Sequence, residues 1–202
     1  TLPWDKAKCT NEELRLKIQA LHSTGRITQQ EAASMMPVQA LDVQPNHRVL
    51  DLCAAPGSKA TQIAESLNGL GLVVANEPNP GRANHLVSNT QRSGHLNMVV
   101  VREDGRNFPR VAQPGFDRIL VDAPCTGSGT TRKNTDVWKK WKPLHGEHMS
   151  RLQAGILSRG ALLLRPGGRM VYSTCSIDPQ ENEHVVEMVL ERFPWLSLIE
   201  VN

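Results

Sequence analysis

The sequence predicts an α/β domain built on a mostly parallel, doubly wound sheet. Short β-branched, apolar segments alternate along the chain with segments whose apolar residues recur at helical spacing. Acidic or thiol side chains follow five successive predicted strands directly. Parallel strands need crossover helices between them, and such sheets bind ligands beyond the carboxyl ends of their strands. Both observations therefore indicate the same architecture.

The overall composition agrees with a globular domain of this class. The chain has 202 residues, of which 39% are hydrophobic and 21% charged, and its net charge is +3. These values argue against collagen, coiled coil and intrinsic disorder. No apolar run reaches the roughly 20 residues of a membrane span, and no secretory signal opens the chain. Because the first residue is not Met, we expect an excised piece of a longer chain.

The first 40 residues predict a helical lead-in, the remnant of an N-terminal region. Thr10-x-x-Glu13 has the capping-box pattern of a helix start, and apolar residues at helical spacing follow it. Thr28-x-x-Glu31 repeats that signal for a second, shorter helix. Because proline lacks an amide N–H and clashes with the preceding turn, Pro37 is expected to terminate this helix.

Six strands and four helices are predicted after the lead-in. The strands are runs of apolar and β-branched residues between turn signals: Arg48–Cys53, Leu72–Glu77, Met98–Asp104, Arg118–Ala123, Gly168–Thr174 and Trp195–Val201. The helices alternate with the strands: Pro56–Leu67, Gly81–Ser93, Glu147–Leu164 and one that opens at Asp178-Pro179. At this last start an N-cap residue precedes a proline in the first helical position.

The ends of the first three strands predict a cofactor site. The first strand-to-helix turn has small residues that let a ligand approach the backbone amides of a helix start: Cys53, Ala54, Ala55, Pro56, Gly57, Ser58 and Lys59. Such a turn suits a carboxylate, with which Lys59 can pair. Glu77 lies where doubly wound folds place an acid on a ribose diol, and Asp104 lies in position to contact a base edge. S-adenosylmethionine, a nucleoside joined to an amino acid, fits this set.

Three motifs that follow predicted strands carry a resemblance to a known family. They are CAAPGSK (Cys53–Lys59), VDAPCTGSGT (Val121–Thr130) and YSTCSIDPQENE (Tyr172–Glu183). They resemble signature motifs of the Sun/Fmu family of RNA (cytosine-5)-methyltransferases. The segment RKNTDVWKKW (Arg132–Trp141) resembles the eukaryotic tRNA-modifying branch of that family in particular.

The resemblance implies a Rossmann-like class I fold for S-adenosylmethionine-dependent methyl transfer. Residues 41–202 are expected to form the catalytic domain, with the lead-in of residues 1–40 before it. The family binds S-adenosylmethionine at the positions of the CAAPGSK turn, Glu77, Asp104 and Asp122. The fold also has an antiparallel seventh strand, and we expect that strand to be missing from this chain.

The resemblance also assigns roles to two cysteines. Carbon 5 of cytosine becomes nucleophilic when a thiolate adds to carbon 6, and a second group must assist release of the product. In the resembled family the TC-motif cysteine, here Cys175, is the nucleophile, and the PC-motif cysteine, here Cys125, promotes release. Asp122 is expected to contact ring nitrogen N3, where charge develops during the addition.

Two other functions fit parts of the sequence. A DNA cytosine-5 methyltransferase takes its nucleophile from a PC motif, so Cys125 would attack and Cys175 would be incidental. A catalytically inactive RNA-binding scaffold would keep the fold without the reaction. The first alternative leaves the TC motif unexplained, and the second leaves unexplained why both cysteines and Asp122 are present.

One short segment has a net charge of +4, more than the +3 of the whole chain. Residues 132–142 contain five basic residues, one acidic residue and two of the four tryptophans. Positive charge follows phosphates, and aromatic rings stack on unpaired bases. We therefore predict that RNA, with tRNA favoured and rRNA as the alternative, contacts Arg132, Lys133, Trp138, Lys139 and Lys140. The alternative is a solvated loop whose tryptophans are anchored in the core.

The cysteines and histidines of the sequence indicate neither a disulfide framework nor a metal site. The four cysteines (Cys9, Cys53, Cys125 and Cys175) form neither a disulfide framework nor a zinc-ligand pattern. His145 and His148 lie one helical turn apart without a third ligand nearby, so no metal is expected. Free thiols indicate a reducing compartment. We therefore expect an intracellular monomer without a membrane partner, in the nucleus or nucleolus rather than the cytoplasm.

Overall fold

One parallel sheet organises the molecule. The computed structural model describes residues 11–111, 113–142 and 144–201. The strands are β1 (Arg48–Asp51), β2 (Leu72–Asn76), β3 (Met98–Val101), β4 (Phe116–Asp122) and β5 (Leu164–Ser173). They lie in the order β3-β2-β1-β4-β5, and every neighbouring pair is parallel. The predicted α/β class with a doubly wound parallel sheet is confirmed.

Seven α-helices of the described residues surround the sheet. They are α1 (Glu12–Ser23), α2 (Ala32–Leu41), α3 (Ser58–Ser66), α4 (Pro80–Ser93), α5 (Asp136–Lys140), α6 (His145–Leu163) and α7 (Glu183–Arg192). Within the described part of the chain, no helix combines the length and the apolar character that crossing a membrane requires.

Alternate residues of the strands pack on opposite faces of the sheet. Leu50 and Ile119 belong to a buried cluster with Ile156 of α6 and residues of α7. Val49 and Leu120 belong to a second cluster, with residues of α2 and α3. Because both faces are covered, the strands are apolar almost throughout, as is typical of parallel sheets.

The strand order reverses at β1, which lies between β2 and β4. Asp51 at the end of β1 pairs with Leu120, and β4 continues to Asp122, which pairs with Ser173 of β5. The loops after β1, β4 and β5 therefore leave the sheet side by side. This is the place where doubly wound sheets bind ligands.

The predicted strand over Trp195–Val201 was wrong. Trp195 lies in a turn and the following residues pair with no described strand, and Trp195, Leu198 and Ile199 are exposed. A strand needs a neighbour for its backbone hydrogen bonds, and no described strand lies beyond β5. The side chains instead line a groove beside β5 and α7. The described sheet therefore has five strands, and neither a sixth nor a seventh is present in it.

The lead-in also differs from its predicted details. Thr10 lies outside the described residues, and α1 is capped by Asn11, whose side chain accepts a hydrogen bond from the amide of Leu14 at 3.0 Å. The second helix begins after Glu31 rather than at Thr28, and Pro37 lies inside it. The helix continues past Pro37 because Val38 and Leu41 on its next turn are buried against the sheet.

The predicted helix start at Asp178 is confirmed in part. Asp178 caps a single 3₁₀ turn, Pro179–Glu181, by accepting a hydrogen bond from the amide of Gln180 at 3.0 Å. The α-helix α7 begins only after this turn, at Glu183. The turn therefore separates the cap from the helix and places Glu181 under the end of β5.

Candidate active site

A cavity of about 310 Å³ opens at the carboxyl end of the sheet. Its wall includes at least one predicted site residue from the end of each of the five strands: Cys53, Ala55, Glu77, Asp104, Asp122, Cys125 and Cys175. A cavity of this size lies at the lower end of the range for small-molecule sites. The structure therefore brings together residues that are up to 122 positions apart in the sequence.

The other residues of the CAAPGSK turn lie next to the cavity without lining it. Ala54 is buried, and its amide donates to the carbonyl of Asn76 at 2.8 Å. Gly57 precedes α3 with φ of +115°, and a Cβ there would lie 3.1 Å from Leu86 Cδ1. A residue with a side chain would therefore be strained and crowded here. Pro56 is exposed and Ser58 is half-buried at the first position of α3.

Lys59 is held by residues of the protein. Its Nζ lies 2.7 Å from Asp122 Oδ2 and donates to Ser34 Oγ at 3.0 Å. The other carboxylate oxygen of Asp122 accepts a hydrogen bond from Ser173 Oγ at 2.7 Å. Asp122 is therefore fixed from both sides by α3 and β5. The predicted pairing of Lys59 with a ligand carboxylate stays a prediction.

Glu77 is almost fully buried at the cavity, with 2% of its surface exposed. Its Oε1 accepts from the amide of Asn79 at 2.9 Å, and its Oε2 lies 3.2 Å from Arg82 Nη1. Arg82 also donates to the carbonyl of Ala55 at 2.9 Å and lines the cavity. Sequence reasoning missed Arg82, although a buried carboxylate needs a cation nearby and Arg82 opens the helix that follows Glu77.

Asp104 also has a basic partner. Arg106 Nε donates to Asp104 Oδ1 at 3.0 Å, and Arg106 Nη2 donates to Oδ2 at 2.6 Å. This paired guanidinium holds the pKa of Asp104 below its usual value. The neighbouring Gly105 lines the cavity, and a Cβ there would lie 3.4 Å from Ile156 Cγ2. The absence of a side chain at Gly105 thus keeps this side of the cavity open.

A buried carboxyl group lies beneath the cavity at the end of β1. Asp51 is 1% exposed, and burial raises its pKa to about 7. Its Oδ1 accepts from the amide of Cys53 at 3.2 Å, while Oδ2 has no hydrogen-bond partner among the described residues. Despite the acids near this point, no group of three potential ligands arranged for a metal ion occurs in the described part of the chain.

The two predicted catalytic cysteines meet at the cavity. Their Sγ atoms are 2.9 Å apart, far beyond the roughly 2.05 Å of a disulfide, so both are free thiols. A hydrogen bond from Cys125 lowers the pKa of the exposed Cys175 to about 7. The same bond, with partial burial, raises the pKa of Cys125.

Cys53, the third cysteine on the cavity wall, differs from Cys175. Burial raises the pKa of the Cys53 thiol, with further contributions from the carboxylates of Asp51, Asp122 and Glu77. The thiolate is the nucleophilic form of cysteine. Of the cysteines that the structure describes, Cys175 is therefore the one suited to nucleophilic attack at neutral pH.

The predicted RNA-binding segment lies beside the cysteines. A Cβ on Gly127 would lie 4.0 Å from Cys175 Sγ and 3.9 Å from Val137 Cγ2 of α5. Trp138 is 71% exposed and Trp141 is 51% exposed, so the alternative in which these tryptophans are anchored in the core is wrong. The segment thus presents aromatic surface near the cavity.

The basic side chains of this segment make surface ion pairs. Arg132 Nη2 lies 3.5 Å from Glu31 Oε1, and Lys133 pairs with the same carboxylate. Lys139 Nζ lies 3.1 Å from Asp136 Oδ1. Exposed ion pairs contribute little free energy, so these cations remain available to exchange their partners for phosphates.

Known proteins resemble this chain over most of its length. A family model described as 16S rRNA methyltransferase RsmB/F matches residues 38–202. The chain is 44% identical over 187 residues to the multisite-specific tRNA:(cytosine-C(5))-methyltransferase of Saccharomyces cerevisiae, covering 85% of this chain and 27% of that protein. It is 41% identical over 186 residues to ribosomal RNA small subunit methyltransferase F of Klebsiella pneumoniae, covering 91% and 39% respectively.

A solved structure extends this similarity to three dimensions. The crystal structure of NSun6 from Pyrococcus horikoshii with SFG matches this fold with a TM-score of 0.78 and 31% sequence identity. The match covers 85% of this chain and 44% of that one. The chain therefore spans less than half the length of each of these three proteins.

Proposed function

Because this chain belongs to the RsmB/F family of methyltransferases, we propose that it transfers a methyl group from S-adenosylmethionine to carbon 5 of cytosine in RNA. The observation that carries the proposal is the pair formed by Cys175 and Cys125, whose sulfur atoms lie 2.9 Å apart on the cavity wall. The names of the yeast and bacterial relatives support tRNA and rRNA as substrate classes, and we favour tRNA.

The cavity fits S-adenosylmethionine through the residues of its own wall. The buried carboxylate of Glu77 lies at the end of β2, where it can accept hydrogen bonds from a ribose diol. The small residues Ala55 and Gly105 leave room for a flat base and for contact with the backbone. The bound cofactor would supply an electrophilic methyl group. The solved relative contains SFG, an analogue of this cofactor, which supports the assignment.

Cys175 would begin the reaction by adding to the base. With a pKa of about 7, roughly half of its thiol is ionised at neutral pH. The sulfur forms a bond to carbon 6 of cytosine, and electron density moves to carbon 5 and toward N3. Carbon 5 would thereby become nucleophilic toward the methyl group that the bound cofactor would supply, while Cys175 would stay bonded to carbon 6. Asp122 lies on the same wall, where Lys59 and Ser173 hold it in place, and it would contact N3.

Cys125 would act after methyl transfer. The proton on carbon 5 would pass to water, and the electron pair of its C–H bond would form the carbon 5–carbon 6 double bond. The carbon 6–sulfur bond would break at the same time, and its electron pair would return to Cys175 as a thiolate. Cys125 keeps its proton because its pKa is raised, and its S–H donates to the sulfur of Cys175. This hydrogen bond stabilises the leaving thiolate, which agrees with a role in product release.

The exposure and the pKa of the two thiols disfavour both the DNA-type mechanism and the inactive scaffold. A DNA-type mechanism would need Cys125 as the nucleophile, yet Cys125 is half-buried and has the raised pKa. A scaffold without activity would have no use for an exposed thiol with a lowered pKa beside a small-molecule cavity. The arrangement therefore favours the RNA-type mechanism with Cys175 as the nucleophile.

The proposal is tested by incubating the chain with tritiated S-adenosylmethionine and mixed tRNA or rRNA. We expect tritium to enter cytosine of the RNA. Cys175→Ala should abolish transfer, and Cys125→Ala should accumulate a covalent RNA–protein adduct that survives a denaturing gel. An adduct from the Cys175→Ala variant instead would reverse the roles of the cysteines. Binding of RNA and cofactor without any transfer would support the inactive scaffold.

A further inference from the structure

Glu181 lies beneath both cysteine loops and is completely buried, with 0% of its surface exposed. It ends the single 3₁₀ turn that follows β5. Its side chain reaches across to the loop that follows β4, where Thr126 lies. Sequence reasoning included Glu181 in a motif but gave its side chain no part in the reaction.

The carboxylate of Glu181 accepts four hydrogen bonds. Its Oε2 accepts from the amide of Thr126 and from Gln153 Nε2, each at 2.9 Å. Its Oε1 accepts from Ser176 Oγ at 2.6 Å and from the hydroxyl group of Thr126. In each of these bonds the partner donates and the carboxylate accepts, which agrees with an ionised carboxylate, since that form has acceptors alone.

Two of the three partner residues are the immediate neighbours of the two cysteines in the chain. Thr126 follows Cys125 in the chain, and Ser176 follows Cys175. Gln153 also donates to the carbonyl of Pro124, at 2.9 Å, and so fixes the residue before Cys125. One carboxylate thus connects the two loops that carry the sulfur atoms.

The hydrogen bonds also account for the ionised state of this buried group. Burial alone would raise the pKa of Glu181, but the bonds from Ser176, Thr126 and Gln153 lower it below its usual value. The negative charge itself raises the pKa of Cys175. Glu181 can therefore favour the thiolate form of Cys175 only through the geometry that it imposes on the two loops, and not through its charge.

We propose that Glu181 is a positioning residue that holds Cys125 within hydrogen-bond distance of Cys175. The inference rests on the proposed function, in which that hydrogen bond stabilises the thiolate of Cys175 before attack and during release. Without the connection between the loops, Cys125 would no longer lie in position to donate. The thiolate of Cys175 would then be less stable, and both covalent steps would slow.

The test compares Glu181→Gln with Glu183→Gln, an exposed neighbour on α7 that serves as the matched control. Glutamine keeps the size of the side chain but removes its charge and replaces one of the two acceptor oxygens with an amide N–H₂ group. The first measurement is the pH midpoint of Cys175 alkylation by iodoacetamide, followed by mass spectrometry of the Cys175 peptide. The second is kcat and KM for methyl transfer, with circular dichroism to confirm folding.

We expect Glu181→Gln to raise the alkylation midpoint of Cys175 by about one pH unit from its value near 7, because the hydrogen bond from Cys125 affects the pKa of Cys175 more than the charge of Glu181 does. We also expect kcat to fall about 10- to 100-fold, as for loss of hydrogen bonds to a charged group, with KM for S-adenosylmethionine changed by less than about twofold. Glu183→Gln should match the wild type in all of these. A folded Glu181→Gln protein with an unchanged midpoint would overturn the inference.

The experiment also gives a clear answer if Glu181→Gln does not fold or if the wild-type chain shows no methyl transfer. If Glu181→Gln does not fold, Ser176→Ala and Thr126→Val remove single donors and should raise the midpoint by smaller amounts, and unchanged midpoints in both would also overturn the inference. Alkylation needs neither RNA nor cofactor. A wild-type chain without methyl transfer would therefore defeat the proposed function, while the midpoints would still decide whether Glu181 positions the cysteines.

Discussion

The reactivity of the site depends on the groups that surround the sulfur of Cys175. The hydrogen bond from Cys125 lowers the pKa of Cys175, whereas burial and the carboxylates of Asp122 and Glu181 raise it. The net result is a pKa of about 7, so the hydrogen bond outweighs the opposing effects. The hydrogen bond from the protonated thiol of Cys125 therefore has the largest effect on the pKa of this nucleophile.

This balance predicts different effects for two substitutions of Cys125. Alanine cannot donate a hydrogen bond, so Cys125→Ala should raise the pKa of Cys175 from about 7 toward the ordinary cysteine value of about 8.5. Because the thiolate forms as the pH rises through the pKa, less of it would be present at pH 7. The alkylation rate of Cys175 at pH 7 should then fall about tenfold.

Cys125→Ser is the control for this prediction. Its hydroxyl group can still donate, so the alkylation profile of Cys175 should stay close to that of the wild type. The measurement is the rate of iodoacetamide labelling of Cys175 between pH 5.5 and 9.5, followed by peptide mass spectrometry. Equal profiles for Cys125→Ala and the wild type would show that Cys125 does not set the reactivity of Cys175.

At the scale of single elements, α5 is too short to be stable alone. It has five residues, no buried side chain and no side-chain cap at its N-terminus. Isolated helices of this length do not form in water, so its position depends on the loop that precedes it. That loop carries Cys125, and Val137 of α5 lies near it. The element therefore presents its charges and its exposed tryptophan beside the site.

This placement predicts a local electrostatic effect on RNA binding. Replacing both Lys139 and Lys140 with Glu should weaken RNA binding and reduce the slope of log K against log salt by about 2, since each phosphate contact contributes about 1. A control variant changes the charge equally on α1, through Arg15→Glu and Lys17→Glu, whose side chains are 43% and 68% exposed. Filter binding across a salt titration would compare them. Equal losses of slope would argue against a special role for α5.

At the scale of the whole molecule, the cavity wall is assembled from the ends of five strands. Glu77, Asp104 and Asp122 come from different loops, and each is held by a basic partner. A ligand that contacts all of these loops binds only when the sheet is formed. Cofactor binding should therefore stabilise the folded chain as a unit.

We expect S-adenosylmethionine at 100 times its Kd to add about 2.7 kcal/mol to the free energy of unfolding. For a chain of this size that corresponds to a rise in Tm of about 5–10 °C. Glu77→Gln should lose most of the rise, while Glu65→Gln, an exposed acid on α3, should keep it. Differential scanning fluorimetry provides the measurement. If the wild-type Tm does not change with cofactor, the cavity does not bind S-adenosylmethionine.

At two elements the tertiary structure differs from what the local sequence pattern predicts. The β-branched and apolar residues of Trp195–Val201 are typical of a strand, but a strand also needs a hydrogen-bonded neighbour, and none is described there. Pro37 is a helix breaker by its chemistry, yet α2 continues because Val38 and Leu41 are buried in the core. In both cases the deciding contacts come from distant parts of the chain.

The amino-acid sequence by itself determined which segments form strands and helices and which residues follow each strand. The patterns that carry this information lie within short segments of the chain. The apolar runs, helix caps and paired cysteine motifs were enough to predict the parallel sheet and to place Cys125 and Cys175 at its carboxyl edge. Only the tertiary structure decided how these residues act on one another. The 2.9 Å approach of the sulfurs and the bonds from Thr126 and Gln153 to Glu181 join parts of the chain that are distant in the sequence. Hydrogen bonds and ion pairs act over a few ångströms in space, and such distances are set only when the chain folds.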